Sequence, residues 1–196
     1  MKILLVSDEE NAYIWNHFDK DKFSDIDITI SCGDLKSSYL SFLVTMIKAP
    51  LYYVHGNHDT RYHRAPPEGC ICIEDQIIVH NGIHIAGLGG SIEYSGGQHQ
   101  YTPNQMMKRA KKISKSLFSK KQIDILVTHA PARGLGDGDD FCHQGFPAFN
   151  WLIDKHQPKY HLHGHQHLNY GINQDRIINY NNTTIINGYG YYIFEY

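Results

Sequence analysis

Six residues spread along the chain carry side chains that divalent cations bind: Asp8, Asp34, Asn57, His129, His165 and His167. Their carboxylate and amide oxygens and imidazole nitrogens suit zinc, manganese, iron, cobalt or nickel. The set is large enough for two adjacent ions that share one carboxylate. Ions about 3.5–4 Å apart can clamp the attacking and leaving oxygens of a displacement, and a bridging hydroxide supplies the nucleophile. His165 and His167 lie two residues apart, so an extended chain can turn both rings the same way. A further residue, His58, can carry or release a proton near neutral pH. It belongs to Gly56-Asn57-His58-Asp59, in which Asp59 can hold a neighbour by hydrogen bonding. Taken singly, each histidine reads as an ordinary surface or core residue, and Asn-His-Asp as turn chemistry. The shared placement argues otherwise, because five of the six follow directly on expected strands and the sixth lies two beyond His165.

Those strands come first as β-α-β-α-β. Residues 2–7, 26–32 and 51–54 read as strands. A helical stretch is expected around 12–18, and another from Ser37 or Ser38, with Leu40, Leu43, Val44 and Ile47 at helical spacing and Pro50 closing it. This alternation predicts a parallel sheet with right-handed crossovers. The continuous apolar run Ile3–Val6 suits a strand covered on both faces. Asp8, Asp34 and Asn57 fall past the three strand ends, where open α/β sheets bind ligands.

The middle of the chain is expected to form short strands at 71–73, 77–80 and 83–88, with Asn81-Gly82 as a hairpin turn. Residues 87–91 are glycine-rich but lack the lysine of a phosphate loop and open no helix. Gly96-Gly97 continues a flexible loop up to Thr102. Thr102-Pro103 then starts a helix whose Lys108, Lys111, Lys112 and Lys115 form a solvated face. A strand at 123–127 leads to His129, and a loop rich in Gly and Asp runs over 133–144. A helix is expected at 147–156, with Trp151 and Ile153 as apolar candidates. The strand at 159–163 delivers Gly164-His165-Gln166-His167, and strands at 176–180, 183–187 and 190–195 close the fold. His161 and His163, inside a strand, read as structural neighbours of the site; His17, His80, His84, His99 and His156 read as ordinary.

Composition sets the outer bounds. A chain of 196 residues suits one domain, taken as 1–196. A net charge of -2 with no basic block argues against a sequence-independent grip on a nucleic-acid backbone. The apolar start is too short for a signal peptide, and no stretch reaches membrane-span length. Four cysteines (Cys32, Cys70, Cys72, Cys142) without a Cys-x-x-Cys pair predict reduced thiols and a cytoplasmic location. Oligomeric state leaves no signature.

Asp8, Gly33-Asp34, Gly56-Asn57-His58-Asp59, His129 and Gly164-His165-Gln166-His167 together resemble the calcineurin-like metallophosphoesterase superfamily, in family order over residues 8–167. Residues 128–131, the Gly-Asp loop and residues 162–171 look most like its compact class III phosphodiesterase-type members. The resemblance implies an α/β fold of two mixed β-sheets packed as a sandwich and flanked by helices. It implies one or two divalent ions, manganese foremost, with Asp34 bridging. One ion takes Asp8 and His167; the other takes Asn57, His129 and His165. It further implies hydrolysis of a small phosphoester, more readily a diester, by a metal-bound hydroxide, with His58 protonating the leaving oxygen or stabilising the phosphoryl transition state. The loops 61–69, 91–102 and 133–146 are expected to shape the substrate pocket, with Arg61, Arg133 and His143 as candidate phosphate contacts.

This sequence departs from the family at one position. The family's usual histidine two residues after the first aspartate is replaced by Glu10. If Glu10 points away, the first ion keeps fewer protein ligands; if it turns inward, the extra carboxylate favours manganese over zinc. The superfamily also contains members that use the fold as a scaffold. Glu10 and the tyrosines Tyr191, Tyr192 and Tyr196 motivate that alternative: a weakly active or inactive docking protein. The plainer expectation for these tyrosines is edge-strand packing.

Overall fold

The computed structural model describes residues 1–117, 122–168 and 175–196. In chain order the elements are β1 (Lys2–Ser7), α1 (Ala12–Asn16), β2 (Ile28–Ser31), α2 (Ser37–Ile47), β3 (Leu51–Tyr53), β4 (Ile71–Cys72), β5 (Ile77–His80), β6 (Ile83–Leu88), β7 (Ser91–Ile92), β8 (Gln100–Tyr101), α3 (Pro103–Ser116), β9 (Ile125–Thr128), α4 (Pro147–His156), β10 (Tyr160–His163), β11 (Ile177–Tyr180), β12 (Thr183–Asn187) and β13 (Gly190–Glu195). A 3-10 turn spans Phe141–His143.

Two mixed sheets form. The first runs β13-β1-β2-β3-β4 and the second β11-β12-β10-β9-β6-β5. In the first, β1 to β4 are parallel and β13 returns antiparallel along β1, pairing Leu5 with Tyr192. The alternation within β1 shows how the layers are built. Ile3 and Leu5 join Ile28, Ile30, Ile125, Val127 and Leu162 in the layer between the sheets. Leu4 and Val6 face the other way, onto Ile14, Leu40 and Leu43 of α1 and α2. The second sheet repeats the arrangement, with Leu126 packed among Met106, Ala110, Phe149 and Leu152 of α3 and α4. Helix, sheet, sheet, helix is thus the layer order, and the two-sheet sandwich expected from the resemblance is the observed one. Among the described residues no helix is long and apolar enough to cross a membrane. The four cysteines form no disulfide.

Several local signals act as written in the sequence. Thr102 and Gln105 make a capping box, with Pro103 in the first turn of α3. Asn81 and Gly82 take positive φ at the β5–β6 hairpin, and the four lysines of α3 are exposed. Helix α2 starts at Ser37, one of the two expected positions, with Lys36 as its N-cap residue and no side-chain cap bond. Other features differ. The stretch expected to be a flexible loop up to Thr102 instead contains the parallel β7–β8 ladder. Strands of two residues have no periodicity to read, and the loop between them is organised by one side chain. Gln100 Oε1 accepts from the N–H groups of Tyr94, Ser95 and Gly97 at 3.1, 2.9 and 3.2 Å.

Candidate metal centre

The carboxyl ends of β1, β2 and β3 in the first sheet meet those of β9 and β10 in the second. Asp8 follows β1, Asp34 and Asn57 lie in the turns after β2 and β3, His129 follows β9 and His165 lies just past β10. Within each sheet a backbone bond ties neighbouring strand ends: Asp8 N donates to Gly33 O at 3.1 Å, and Gly164 N to His129 O at 2.9 Å. The turns come closer than a side chain permits. A Cβ on Gly56 would lie 2.0 Å from Asp34 Oδ1, and one on Gly164 would lie 1.9 Å from Ser7 Oγ and 2.5 Å from Asp8 Oδ2. Asp8, Asp34 and His165 each take a left-handed backbone conformation, at φ of 65°, 56° and 67°. Three such residues at one site mark backbone strain concentrated where ligands converge.

Asp34, His129 and His165 each bring a ligand atom within 4.8 Å of the others. The two imidazoles are aimed by backbone carbonyls. His129 Nδ1 donates to Cys32 O at 2.8 Å, and His165 Nε2 donates to Cys142 O at 2.8 Å. The donating nitrogen carries the proton, so a neutral ring keeps its lone pair on the other nitrogen, the orientation typical of metal-binding histidines. His129 Nε2 then faces Asn57 Oδ1 at 2.9 Å and Asp34 Oδ2 at 3.3 Å. Asn57 spends its own N–H on Tyr94 Oη at 3.2 Å. Lone pairs therefore converge from three residues, and only a positive charge among them relieves the repulsion. In the metal-free protein a proton does so. Burial alone would lower His129, but the adjacent Asp34 carboxylate overrides it and raises the ring to about 9. Burial works upward on Asp34 too, yet the His129 charge brings it down to about 2. A divalent ion can replace that proton, so the donor set fits one. His165 is pushed down to about 3 by burial and by the His129 charge, which leaves it a neutral donor.

A cavity of about 360 Å³ opens onto this cluster, lined by Asp8, Asp34, Asn57, His58, Tyr94, Cys142, His143, His165 and His167. Of the six residues singled out from sequence, it exposes all but His129, which is fully buried. His58 is exposed, and its backbone N–H donates to Asp34 Oδ1 at 2.8 Å. Asp59 fixes the turn by accepting from the N–H groups of Asp34 and Gly56 at 2.9 and 2.7 Å. Asp8 is raised by burial, and its carboxylate accepts from His165 N at 2.9 Å.

The remaining expectations divide. His143 lines the cavity, its Nδ1 donating to Asp140 at 2.7 Å. Arg133 does not; it borders a separate, mostly apolar cavity and lies 3.8 Å from Asp137. Arg61 and the rest of loop 61–69 contribute nothing to the lining of the main cavity. Glu10 also stays out of it: its carboxylate accepts from Lys36 N at 3.1 Å and pairs with Lys36 Nζ at 2.8 Å. His161 and His163 point away from the inter-sheet layer, and His161 bonds Thr128 Oγ1 at 2.9 Å, as structural residues do. Tyr191 packs edge-on to Phe23 at 6.4 Å, Tyr192 stacks on Phe194 at 6.3 Å and Tyr196 meets Tyr160 at 5.9 Å, so all three sit in edge-strand packing. The motif that continues to Gly171 lies partly outside the described residues. Tyr94 and the Cys142 carbonyl were not foreseeable, since a loop tyrosine and a backbone oxygen leave no pattern.

A family model described as calcineurin-like phosphoesterase matches residues 1–169. Among solved structures, TT1561 of Thermus thermophilus is similar with a TM-score of 0.64 at 18% identity, over 96% of this chain and 89% of that one. A Staphylococcus aureus protein described as a 5'-nucleotidase, in complex with alpha-ketoglutarate, gives a TM-score of 0.50 at 10% identity. That match covers 95% of this chain and 48% of the other, so this chain spans about half its length. At these identities both likenesses speak for the fold. Among curated proteins none matches.

Proposed function

The chain belongs to the calcineurin-like phosphoesterase family, metal-dependent hydrolases of phosphoric esters, and from that premise we propose that it is a phosphodiesterase with His58 as its acid. The observation that carries the reading is the convergence of His129 Nε2, Asn57 Oδ1 and Asp34 Oδ2, each held by a further hydrogen bond, beside an exposed histidine. Asn57, His129 and His165 would hold one ion, Asp8 and His167 a second, and Asp34 both. Bound divalent ions, with manganese as our first choice, supply an activated water and a positive field for the phosphoryl oxygens.

The chain's own residues do the rest. Asp59 holds the Gly56–His58 turn rigid, so His58 meets the leaving oxygen in a fixed place and can hand it a proton. His143 Nδ1 donates to Asp140, which orients the ring in the cavity; as an imidazolium it would turn Nε2–H toward a non-bridging phosphate oxygen. Among the described residues no lysine or arginine lines the cavity. A diester carries one negative charge and a monoester up to two, so a cavity that adds no lysine or arginine charge to its metal ions favours the diester. The scaffold alternative now rests on Glu10 alone, since the tyrosines that motivated it are packed.

The experiment is turnover of a chromogenic aryl phosphodiester, and of its monoester, with and without manganese, in the unmodified protein and in Asn57→Ala and His58→Ala. We expect manganese-dependent diester turnover that exceeds monoester turnover and collapses in both variants. Turnover that ignores manganese, or that survives in both variants, overturns the reading. Inactivity on a broad phosphoester panel, together with a stoichiometric protein partner, would favour the scaffold.

A further inference from the structure

A second donor cluster lies apart from this cavity. His55, Cys72 and Glu74 each bring a ligand atom within 4.8 Å of the others. The sheet itself builds it. Tyr53 pairs with Cys72 in the parallel β3–β4 ladder, and Ile73 N donates to Tyr53 O at 2.9 Å. Residues two apart on an extended chain share a face, so His55 beyond Tyr53 falls alongside Glu74 beyond Cys72. The His55 N–H donates to Glu74 Oε2 at 3.3 Å, and His55 Nδ1 bonds the same oxygen. Glycine at position 89 lets the chain after β6 pass close to these donors. A Cβ on Gly89 would lie 2.5 Å from His55 O and 2.9 Å from Glu74 Oε2.

The surroundings orient these donors as the neighbours of a metal site do. Glu74 Oε1 is held by Arg109 Nη2 at 2.7 Å, which leaves Oε2 toward the cluster. Arg109 is itself fixed by Asp75 at 2.9 Å, by Gly89 O at 2.9 Å and by the Tyr101 ring, 4.1 Å from its guanidinium carbon. His99 stacks on the His55 ring at 4.5 Å, nearly parallel, while Tyr53 and Tyr62 pack around it at 5.5 and 5.6 Å. Three rings therefore fix the imidazole plane. His55 and Glu74 keep 19% and 12% of their side-chain surface, enough for an ion to reach them from solvent.

We propose that His55, Cys72 and Glu74 form a separate binding site for a zinc-class divalent ion. A thiolate, an imidazole and a carboxylate are a zinc or cobalt donor set, with the fourth tetrahedral position left to water. Uptake displaces the Cys72 and His55 protons to solvent. The local charge then closes: thiolate and two carboxylates (Glu74, Asp75) against one divalent ion and the Arg109 guanidinium. The donors differ in kind from those of the main cavity, whose six ligand residues include no sulfur.

That difference supplies the test. Cobalt bound by a thiolate shows a near-ultraviolet sulfur-to-metal charge-transfer band, which oxygen and nitrogen donors do not give. The full chain titrated with cobalt should develop the band and bring it to saturation. It should persist in Asn57→Ala, which impairs the main centre, and in Cys142→Ser, which removes the thiol nearest that centre. It should be lost in Cys72→Ser. Absence of the band from the unmodified chain, its survival in Cys72→Ser, or its loss in Cys142→Ser overturns the proposal. Should Cys72→Ser fail to fold, alkylation of the unmodified chain decides. Zinc should protect Cys72 more than Cys70, two residues earlier, with protection lost on chelation; equal alkylation of both overturns it.

Discussion

The two halves of the metal centre proposed above differ in how deeply they are buried. On one side Asn57, His129 and His165 are buried, at 4%, 0% and 6% exposure, and each is oriented by a second partner: Tyr94, the Cys32 carbonyl and the Cys142 carbonyl. On the other side Asp8 is partly exposed and His167 exposed, and Glu10 lies against Lys36. The sequence departure at Glu10 thus falls on the more exposed half. Buried donors are shielded from competing water, so the deep half should hold its ion more tightly.

The largest effect expected follows from the acid role proposed for His58. His58→Ala should lower kcat roughly 10²- to 10⁴-fold, the range of a positioned general acid. Metal content measured on the same sample should stay unchanged; a parallel loss of metal would make His58 a structural residue. Next, Tyr94→Phe removes the oxygen that accepts from the Asn57 amide. It should weaken deep-site affinity by roughly 10- to 100-fold, read by competition with a chelator, and leave the open half unaltered. Equal weakening of both halves would erase the contrast. Glu10→His should then work in the opposite direction. After exhaustive dialysis the unmodified protein should retain about one ion in the main centre and the variant nearer two. Two retained ions in the unmodified centre would show that Glu10 costs it nothing. The smallest effect is on stability. The Glu10–Lys36 pair leaves 25% and 75% of its side chains exposed. Lys36→Ala should therefore shift unfolding by no more than about 1 kcal/mol in urea titration.

Much of this centre is legible because its side chains follow strands whose own signal is strong. Ile3–Val6 is apolar throughout because β1 faces a sheet on one side and helices on the other. Asp8 is found simply by reading to the end of that run. The Asn81-Gly82 turn and the Thr102–Gln105 cap are equally local, and each acts as written. What stays hidden depends on distant or backbone atoms. The Cys142 carbonyl reaches His165 only because the 3-10 turn folds back over the cavity. His55, Cys72 and Glu74 come together through strand register, and that register is fixed by sheet pairing, which single residues do not announce. The direction of Glu10 falls in the same class, since Lys36 is 26 residues away.

The left-handed backbone at Asp8, Asp34 and His165 has a consequence for how the centre should be dissected. That conformation costs an ordinary residue roughly 1–2 kcal/mol, and a short polar side chain eases it by bonding locally. Alanine at Asp8 or Asp34 removes a proposed ligand and also replaces a residue type that the left-handed region tolerates with one that it does not favour. A loss of activity in Asp34→Ala would thus mix two causes, missing metal and a distorted turn. Asparagine tolerates the same dihedral angles and keeps the side-chain length of aspartate while removing its charge. Asp8→Asn and Asp34→Asn are therefore the cleaner probes. An alanine scan of this centre would rank its residues partly by conformational penalty, and an asparagine scan would rank them by chemistry.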